Sequence, residues 1–288
     1  MLAGPTIRRR RLGTDLRRLR EERSLRLEDV AAHLGVAPST LSRIETGKAP
    51  TRTSYLSLML DLYGVDDPQR RRLLTDLARE GQRKGWWADS EDLLAAGAGN
   101  YLGLEAEASV LRSFAIQVVP GLLQTEQYAT AVCRASRPDL TPEQIRKLVA
   151  LRLRRQDLLR GPGRHRLHLV IDESALLRSI GSAGTMTAQL RHLLALTVQA
   201  PVTVQVLTLV KVRTVLTEPF TMLSFADKSD VDVACATSIR GQLIFEERPA
   251  EVGVLRATFN ALARAAMSPE ESAELISGLA GEASETDA

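Results

Sequence analysis

The segment from Leu25 to Val65 constrains the fold more than any other, because three short helical patterns follow one another there. Its residues predict a helix over 27–34, a left-handed turn at Gly35 and a second helix that begins at Pro38. A basic loop then leads to a further helix over 53–63. Two short helices joined by a tight glycine turn are the unit that places one helix in the major groove of DNA. The sequence therefore predicts a DNA-binding head.

Apolar residues in this head recur at helical spacing, which separates an inward face from an outward one. A first helix over about 14–23 carries leucines on one side, and Thr14 is a suitable N-cap for it. The inward positions of the next two helices are Val30, Ala31, Leu34, Leu41 and Ile44. The polar residues between them are then expected to face the DNA groove, namely Ser39, Thr40, Ser42 and Arg43.

The composition excludes several classes of protein. With 288 residues, of which 44% are hydrophobic, the chain is long enough for two domains and apolar enough to fill their cores. It has no run of about eighteen apolar residues, so a membrane span is not expected. The basic N-terminus lacks the apolar stretch of a secretory signal. Cys133 and Cys235 have no metal-ligand neighbours, which indicates reduced thiols in a cytoplasmic protein.

Charge is distributed unevenly along the chain. The net charge is +3, but residues 1–85 hold 18 Lys and Arg against 11 Asp and Glu, a net charge of +7. The remaining residues hold 20 against 24, a net charge of −4. Arginines that simply form a solvent-exposed face would give the same distribution of charge. The helical pattern beneath the charges favours a phosphate-binding module joined to a body with a different function.

Four consecutive arginines precede the first predicted helix and allow two interpretations. They can form a flexible arm that follows the DNA backbone or enters the minor groove, as arms of other helix-turn-helix proteins do. They can instead be the basic start of helix one. We favour non-specific phosphate contacts by Arg8, Arg9, Arg10 and Arg11.

The head resembles a known family. The sequence GVAPSTLSRIETGK, which follows the helix LEDVAAHLG, is similar to the Xre/Cro-type helix-turn-helix of phage-repressor-like regulators. The resemblance implies an all-α, lambda-repressor-like fold. It implies a pair between Arg20 and Glu45 that holds helix one to the recognition helix. It also implies that bases are contacted by Pro38, Ser39, Thr40, Ser42 and Arg43.

The same resemblance implies phosphate contacts by the backbone amides near Gly47 and by the side chains of Lys48 and Arg52. Each such cation should add roughly 0.9 to the salt slope of DNA binding. One departure concerns Ala37, which stands where a Ser or Thr usually caps the recognition helix, so about 1 kcal/mol of capping is absent. Another is Leu27, which stands where a Gln often contacts phosphate, so that contact is not carried over.

The rest of the chain predicts a larger α+β domain with an antiparallel or mixed sheet, because runs of strands are bracketed by helices. Strands are expected in the segments RLHLVIDESAL, PVTVQVLTLV, PFTMLSFAD, DVDVACATS and QLIFEE. We place the head at 1–80, a linker at 81–100, the α+β domain at 101–280 and a disordered tail at 281–288.

Helical periodicity in this domain is predicted over 104–114, 124–134 and 141–160, and again over 186–199, 250–266 and 269–280. Thr141 is a good N-cap, with Pro142 after it. On the helix that follows, the buried stripe is expected to be Leu148, Leu151 and Leu158. The solvated stripe is expected to be Arg152, Arg154 and Arg155.

This domain also resembles a known one. The segments VVPGLLQTEQYATAVCRA, RRQDLL, HLVIDESAL and TAQLRHLL are similar to the C-terminal domain that follows Xre-type heads in many actinobacterial regulators. The resemblance implies a poorly characterised domain, described in some members as antitoxin-like and encoded beside a small partner protein. From Val210 to Ala236 the similarity weakens, so a pocket or partner surface built there would have altered specificity.

The sequence gives little support to an enzyme. His165 and His168 flank a predicted strand followed by Asp172 and Glu173, but residues three apart on a strand face opposite sides. The sequence shows no third ligand cluster, nucleophile motif or phosphate-binding glycine loop. We expect no catalytic residue, no metal and no cofactor. The acidic pair is instead expected to begin the following helix.

Three functions follow from these observations. The first is a sequence-specific transcriptional regulator, cytoplasmic and nucleoid-associated, that binds double-stranded DNA as a homodimer because one short helix reads too few bases. The second is an antitoxin-like interaction module that binds a small protein encoded next door and uses DNA binding for autoregulation. The third is a sensor of an unknown small ligand held between sheet and helices.

Overall fold

The computed structural model describes residues 5–82, 85–160, 165–199, 201–209, 218–227, 230–238 and 241–285. The chain divides into two compact units. The first comprises Met1–Ala88 and Leu102–Glu107, and the second comprises Asp89–Tyr101 and Ala108–Ala288. Both tryptophans of the chain, Trp86 and Trp87, belong to the first unit, so tryptophan fluorescence reports on that unit.

Every helix or strand in the described residues of the first unit is a helix. Its elements are α1 (Pro5–Glu22), α2 (Leu27–His33), α3 (Pro38–Glu45), α4 (Thr53–Leu62) and α5 (Pro68–Gln82), with the second half of α6 (Ala98–Glu107). Their apolar faces form one core whose fully buried members include Leu16, Ala31, Leu41, Leu56 and Met59. The predicted all-α head is confirmed.

Helix one begins earlier than its apolar pattern predicts. The pattern starts at Thr14, whereas α1 begins at Pro5 and continues through Gly13. Proline suits the first position of a helix because its missing N–H is not needed there. Apart from Ile7 and Leu12, the added turns carry mainly arginines, so hydrophobic periodicity gave little sign of them.

The second unit is built on a mixed sheet. In the described residues the strand order is β3-β2-β1-β4-β5-β6. The pairs β1–β2 and β2–β3 are parallel, whereas the pairs β1–β4, β4–β5 and β5–β6 are antiparallel. The strands are β1 (Val110–Ala115), β2 (Arg166–Asp172), β3 (Val202–Leu207), β4 (Phe220–Ser224), β5 (Val233–Thr237) and β6 (Leu243–Glu246). The predicted α+β domain with a mixed sheet is confirmed.

Helices cover this sheet. They are α7 (Glu126–Ser136), α8 (Pro142–Arg155), α9 (Glu173–Leu177), α10 (Ala183–Gln199), α11 (Pro249–Ala265) and α12 (Pro269–Glu285). Helix α11 packs on one face, where Phe259 meets the ring of His168 edge-on with centroids 5.0 Å apart. Helix α12 closes the β3 edge, because the Val206 N–H donates to Ser272 Oγ at 2.9 Å and its carbonyl accepts from Met267.

The helix predicted over 104–114 is wrong in its second half. Helix α6 ends at Glu107, and Val110–Ala115 is β1, an interior strand paired with β2 and β4. A strand covered on both faces has apolar residues on both sides and loses the polar alternation by which strands are recognised. Helix α6 also begins at Ala98, within the stretch 81–100 that was predicted to be a linker.

Helix α8 begins as predicted, with a capping box in which Thr141 and Gln144 each accept a backbone N–H from the other. It ends at Arg155, before a 3-10 turn over Gln156–Leu159, and not at 160. The predicted stripes are right for Leu158, which is buried, and for Arg154, which is exposed. The rest of the prediction is wrong, because α8 is rotated so that it packs on α7 through Ile145 and Val149. This rotation turns Arg152 inward, where its Nη1 donates to Gln124 Oε1 at 2.7 Å and burial lowers its pKa.

The predicted disordered tail at 281–288 is helical through Glu285, since α12 continues to that residue. The sequence predicts a turn in the segment GPGRH, but its residues 161–164 lie outside the described residues. The stretch 210–217 and residues 286–288 lie outside them as well.

Candidate nucleic-acid interface

A two-helix unit joined by a tight turn forms the centre of the head. The turn requires Gly35, whose φ of +65° lies in the left-handed region. The Gly35 N–H donates to Ala32 at 3.1 Å and the Val36 N–H to Ala31 at 3.0 Å, which ends α2 and redirects the chain into α3. Ala31 is completely buried, so a small side chain lets the helices approach.

Helix α3 has one buried and one exposed face. Leu41 and Ile44 are buried in the core of the head. Of the five residues predicted to contact bases, Thr40 is half-exposed. The other four are exposed, namely Pro38, Ser39, Ser42 and Arg43. The N-cap position is Ala37, which makes no side-chain cap hydrogen bond. The sequence therefore presents a short polar strip on a helix whose other face is fixed by packing.

A buried ion pair joins α1 to the C-terminal end of α3. Arg20 Nε donates to Glu45 Oε1 at 2.7 Å, and Nη2 donates to Oε2 at 2.9 Å. The two residues are 8% and 6% exposed. The hydrogen bond to Glu45 raises the pKa of Arg20, and burial together with the Glu45 charge raises the pKa of the adjacent Tyr63. The pair is bidentate, which fixes the angle of α3 as well as its position.

Close backbone contact supports the same junction. A Cβ at Gly13 on α1 would lie 2.5 Å from the Glu45 carbonyl oxygen and 2.6 Å from that of Ile44. An isolated glycine next to a helical pattern usually has a packing reason, so the sequence already contained a signal for Gly13. Gly13 is therefore a positioning residue for the recognition helix.

Replacing Gly13 with alanine is expected to destabilise the head. The clash should cost about 1–3 kcal/mol, offset in part by the roughly 1 kcal/mol better helix propensity of alanine. Urea unfolding followed by tryptophan fluorescence measures the change. The matched control is Gly253→Ala on α11, where a Cβ meets nothing within 4 Å, so this variant should be neutral or slightly stabilising. Because α11 belongs to the second unit, the control is followed by circular dichroism at 222 nm. Equal behaviour of the two variants would contradict the close contact.

The loop after α3 contains the other predicted phosphate ligands. Lys48 and Arg52 are exposed. Gly47 is buried, its N–H donates to Ile44 at 2.9 Å, and a Cβ there would lie 2.7 Å from the Arg10 backbone. Its φ of +69° makes the turn, so the structure gives Gly47 a structural role and does not support a direct phosphate contact from its own N–H.

A residue that sequence reasoning missed anchors this loop. Gln82 Nε2, at the end of α5, donates to the Thr51 carbonyl at 2.7 Å, and Thr51 is 4% exposed. The bond fixes the residue directly before Arg52, whose guanidinium lies 5.7 Å above the Tyr55 ring. The loop is therefore held from both sides, and its exposed cations extend from a fixed backbone.

The interpretation of Arg8–Arg11 as a flexible arm is wrong, because these residues lie within α1 and are half-buried. Arg8 forms ion pairs with Glu80 and Glu107, and Arg9 donates to the Gly81 carbonyl. Burial lowers the pKa of Arg9. These arginines fasten α1 to its neighbours, so the other interpretation, a basic start to helix one, describes them.

The other candidate sites do not assemble. His165 is buried just before β2, and His168 faces α11 and bonds Gln205 at 2.7 Å. Asp172 caps α9 by accepting the Ser174 N–H at 3.0 Å. No metal-binding group of His, Cys, Asp and Glu occurs in the part of the chain that the structure describes. Among its helices, none combines the length and apolar character needed to cross a membrane.

Comparison with known families agrees with this geometry. Residues 11–73 match a helix-turn-helix domain, and residues 98–278 match a domain of unknown function, DUF5753. The second match covers more than half of the chain. The protein belongs to the DUF5753 family. The chain matches no curated protein and no solved structure.

Membership in this family confirms the predicted combination of a helix-turn-helix head with a poorly characterised C-terminal domain. The helix-turn-helix match covers α2 and α3, including the exposed polar strip. It indicates a DNA-binding regulator.

Proposed function

We propose that this member of the DUF5753 family is a sequence-specific transcriptional regulator that reads DNA with α3. The observation that carries the proposal is the polar strip of α3, exposed on a helix whose apolar face is buried and whose C-terminal end is fixed by the Arg20–Glu45 pair. Such a strip fits the width of the major groove. Binding DNA places the protein in the cytoplasm.

The exposed residues have two kinds of role in this proposal, base reading and phosphate contact. Arg43 reads guanine through its forked donors, and Ser39 contributes hydrogen bonds to neighbouring base edges. Lys48 and Arg52 contact phosphates and set the register of α3 without reading sequence. A homodimer on a two-fold operator supplies the length of site that a single short helix does not read.

Arg43→Ala is expected to weaken binding to the specific site by about 1–3 kcal/mol, or roughly 5- to 150-fold, and to leave non-specific binding nearly unchanged. Lys48→Ala should weaken all sequences alike and reduce the salt slope by about 0.9. Fluorescence anisotropy with duplexes from upstream of the protein's own gene, at several salt concentrations, measures both effects.

The matched control is Arg134→Ala, which removes one exposed positive charge from α7 in the second unit. It should change neither specificity nor salt slope. Specific affinity that is indifferent to Arg43 would overturn the assignment of base reading to α3. Failure of the intact protein to bind any duplex in dilute buffer would overturn the function itself.

A further inference from the structure

The segment after α3 carries exposed cations on a backbone that is fixed at both ends, and we call residues 47–52 the cation loop. At its first end, Gly47 packs so closely on α1 that a Cβ there would lie 2.7 Å from the backbone of that helix. At its other end, the carbonyl of the buried Thr51 accepts a hydrogen bond from Gln82 Nε2 at 2.7 Å. This bond fixes the backbone directly before Arg52.

Gln82 makes this bond from a helix end that is itself held in place. It is the last residue of α5, and the residue before it, Gly81, is buried. The Gly81 carbonyl accepts a hydrogen bond from Arg9 of α1, and a Cβ at Gly81 would lie 3.1 Å from the Arg9 side chain. The amide of Gln82 therefore connects the cation loop to two helices that are fastened to each other.

Arg52 is the cation closest to this anchor. It occupies the N-cap position of α4, and its carbonyl accepts the Leu56 N–H at 2.9 Å. Its guanidinium lies 5.7 Å above the ring of Tyr55, which packs against the core of the head. The bond to Thr51 sets where the Arg52 side chain begins, and the ring of Tyr55 sets where it points.

The charge of Arg52 is available to an external anion. Three other exposed arginines of the head, Arg17, Arg18 and Arg26, each pair with a carboxylate three or four residues away. Within the part of the chain that the structure describes, Arg52 pairs with no carboxylate. A cation held in one direction without an internal counter-charge suits a contact to a DNA phosphate.

We propose that Gln82 is a positioning residue for the phosphate contact of Arg52, an inference that rests on the proposed DNA-binding function. A loop that is already ordered loses less conformational entropy when it binds, so its contacts contribute more to affinity. Phosphate contacts carry no sequence information. Gln82 should therefore raise the affinity for every duplex and leave the preference among sequences unchanged.

The test is Gln82→Met, which keeps the size of the side chain and removes its N–H donor. We expect specific and non-specific duplexes to bind about 2- to 10-fold more weakly, since the loop must then be ordered on binding. The salt slope should fall by up to about 0.9, the share of one cation. Fluorescence anisotropy at several salt concentrations measures both. The matched control is Gln69→Met, at the exposed start of the same helix, which should change neither.

A double variant shows whether Gln82 acts through Arg52. In Arg52→Ala the contact is already lost, so adding Gln82→Met should weaken binding no further. A second loss as large as in the wild-type background would overturn the inference, because a merely structural effect would persist there. If Gln82→Met does not fold, Gln82→Glu, which also lacks the N–H donor, takes its place in the same cycle.

The outcomes separate this inference from the function on which it rests. Failure of the wild-type protein to bind any duplex would overturn both. Binding by the wild-type protein that is indifferent to Gln82 would overturn the positioning role alone and leave the proposed DNA-binding function intact.

Discussion

Replacing Glu45 with alanine is expected to destabilise the head by about 3–5 kcal/mol, because the Arg20 guanidinium would remain buried without its partner. Glu45 is 6% exposed and accepts two hydrogen bonds from Arg20, so water does not replace it at low cost. The loss is a large fraction of the 5–15 kcal/mol that typically stabilises a folded domain. Urea unfolding followed by Trp86 and Trp87 fluorescence measures it in the unit concerned.

Helix α1, which carries Arg20, provides a matched control. Arg17 and Glu21 also form an ion pair, at 2.8 Å, but their side chains are 58% and 53% exposed. Glu21→Ala should therefore change stability by less than about 1 kcal/mol. The double variant Arg20→Met with Glu45→Leu should recover most of the stability lost in Glu45→Ala, since apolar residues of similar size replace both charges. If Glu45→Ala and Glu21→Ala proved equally mild, the pair would not hold α3.

Sequence alone predicted the centre of the head well, because each local signal there agrees with the others. Gly35 marks a left-handed turn, Pro38 marks a helix start, and Leu41 with Ile44 marks the buried face of α3. Because the turn, the helix start and the periodic apolar face coincide, only one arrangement of the two short helices is consistent with all three signals. The pair of Arg20 with Glu45 came from family resemblance, since 25 residues separate its members and no local pattern connects them.

Predictions failed where tertiary contacts override local pattern. The arginines of α1 look like a free basic arm until Glu80 and Glu107, which are distant in sequence, are brought beside Arg8. Arg152 was expected in solvent as part of the polar stripe of its helix, but packing through Val149 turns it toward Gln124. In both cases the direction of the arginine side chain is set by a partner that is distant in sequence, which hydrophobic periodicity does not reveal.

The body shows a different limit. Five strands with alternating or β-branched residues were predicted, whereas β1, the strand that joins the parallel and antiparallel halves of the sheet, was predicted to be part of a helix. Its residues Leu111, Phe114 and Ala115 are buried on both faces. The position of β1 between β2 and β4 could not be predicted from the sequence either, because no local pattern shows which strands pair.

Replacing Phe259 with alanine is expected to destabilise the second unit by about 3–5 kcal/mol, through lost burial and the cavity that the ring would leave. Phe259 is 1% exposed and packs in the core between α11 and the sheet, where its ring lies at 87° to that of His168. The matched control on the same helix is Val254→Ala, because Val254 is 62% exposed and its truncation should change stability by less than about 0.5 kcal/mol.

Two signals distinguish the units in this experiment. Circular dichroism at 222 nm follows helices of both units, whereas tryptophan fluorescence follows the first, which contains both tryptophans. In Phe259→Ala the dichroism transition should acquire an early step while the fluorescence midpoint stays in place. Because the polar strip of α3 that we propose reads DNA belongs to the first unit, the variant should still bind duplex at urea concentrations that unfold the second. A common shift of both signals would show that the two units unfold as one, and the stability of the DNA-binding head would then depend on the core beneath α11.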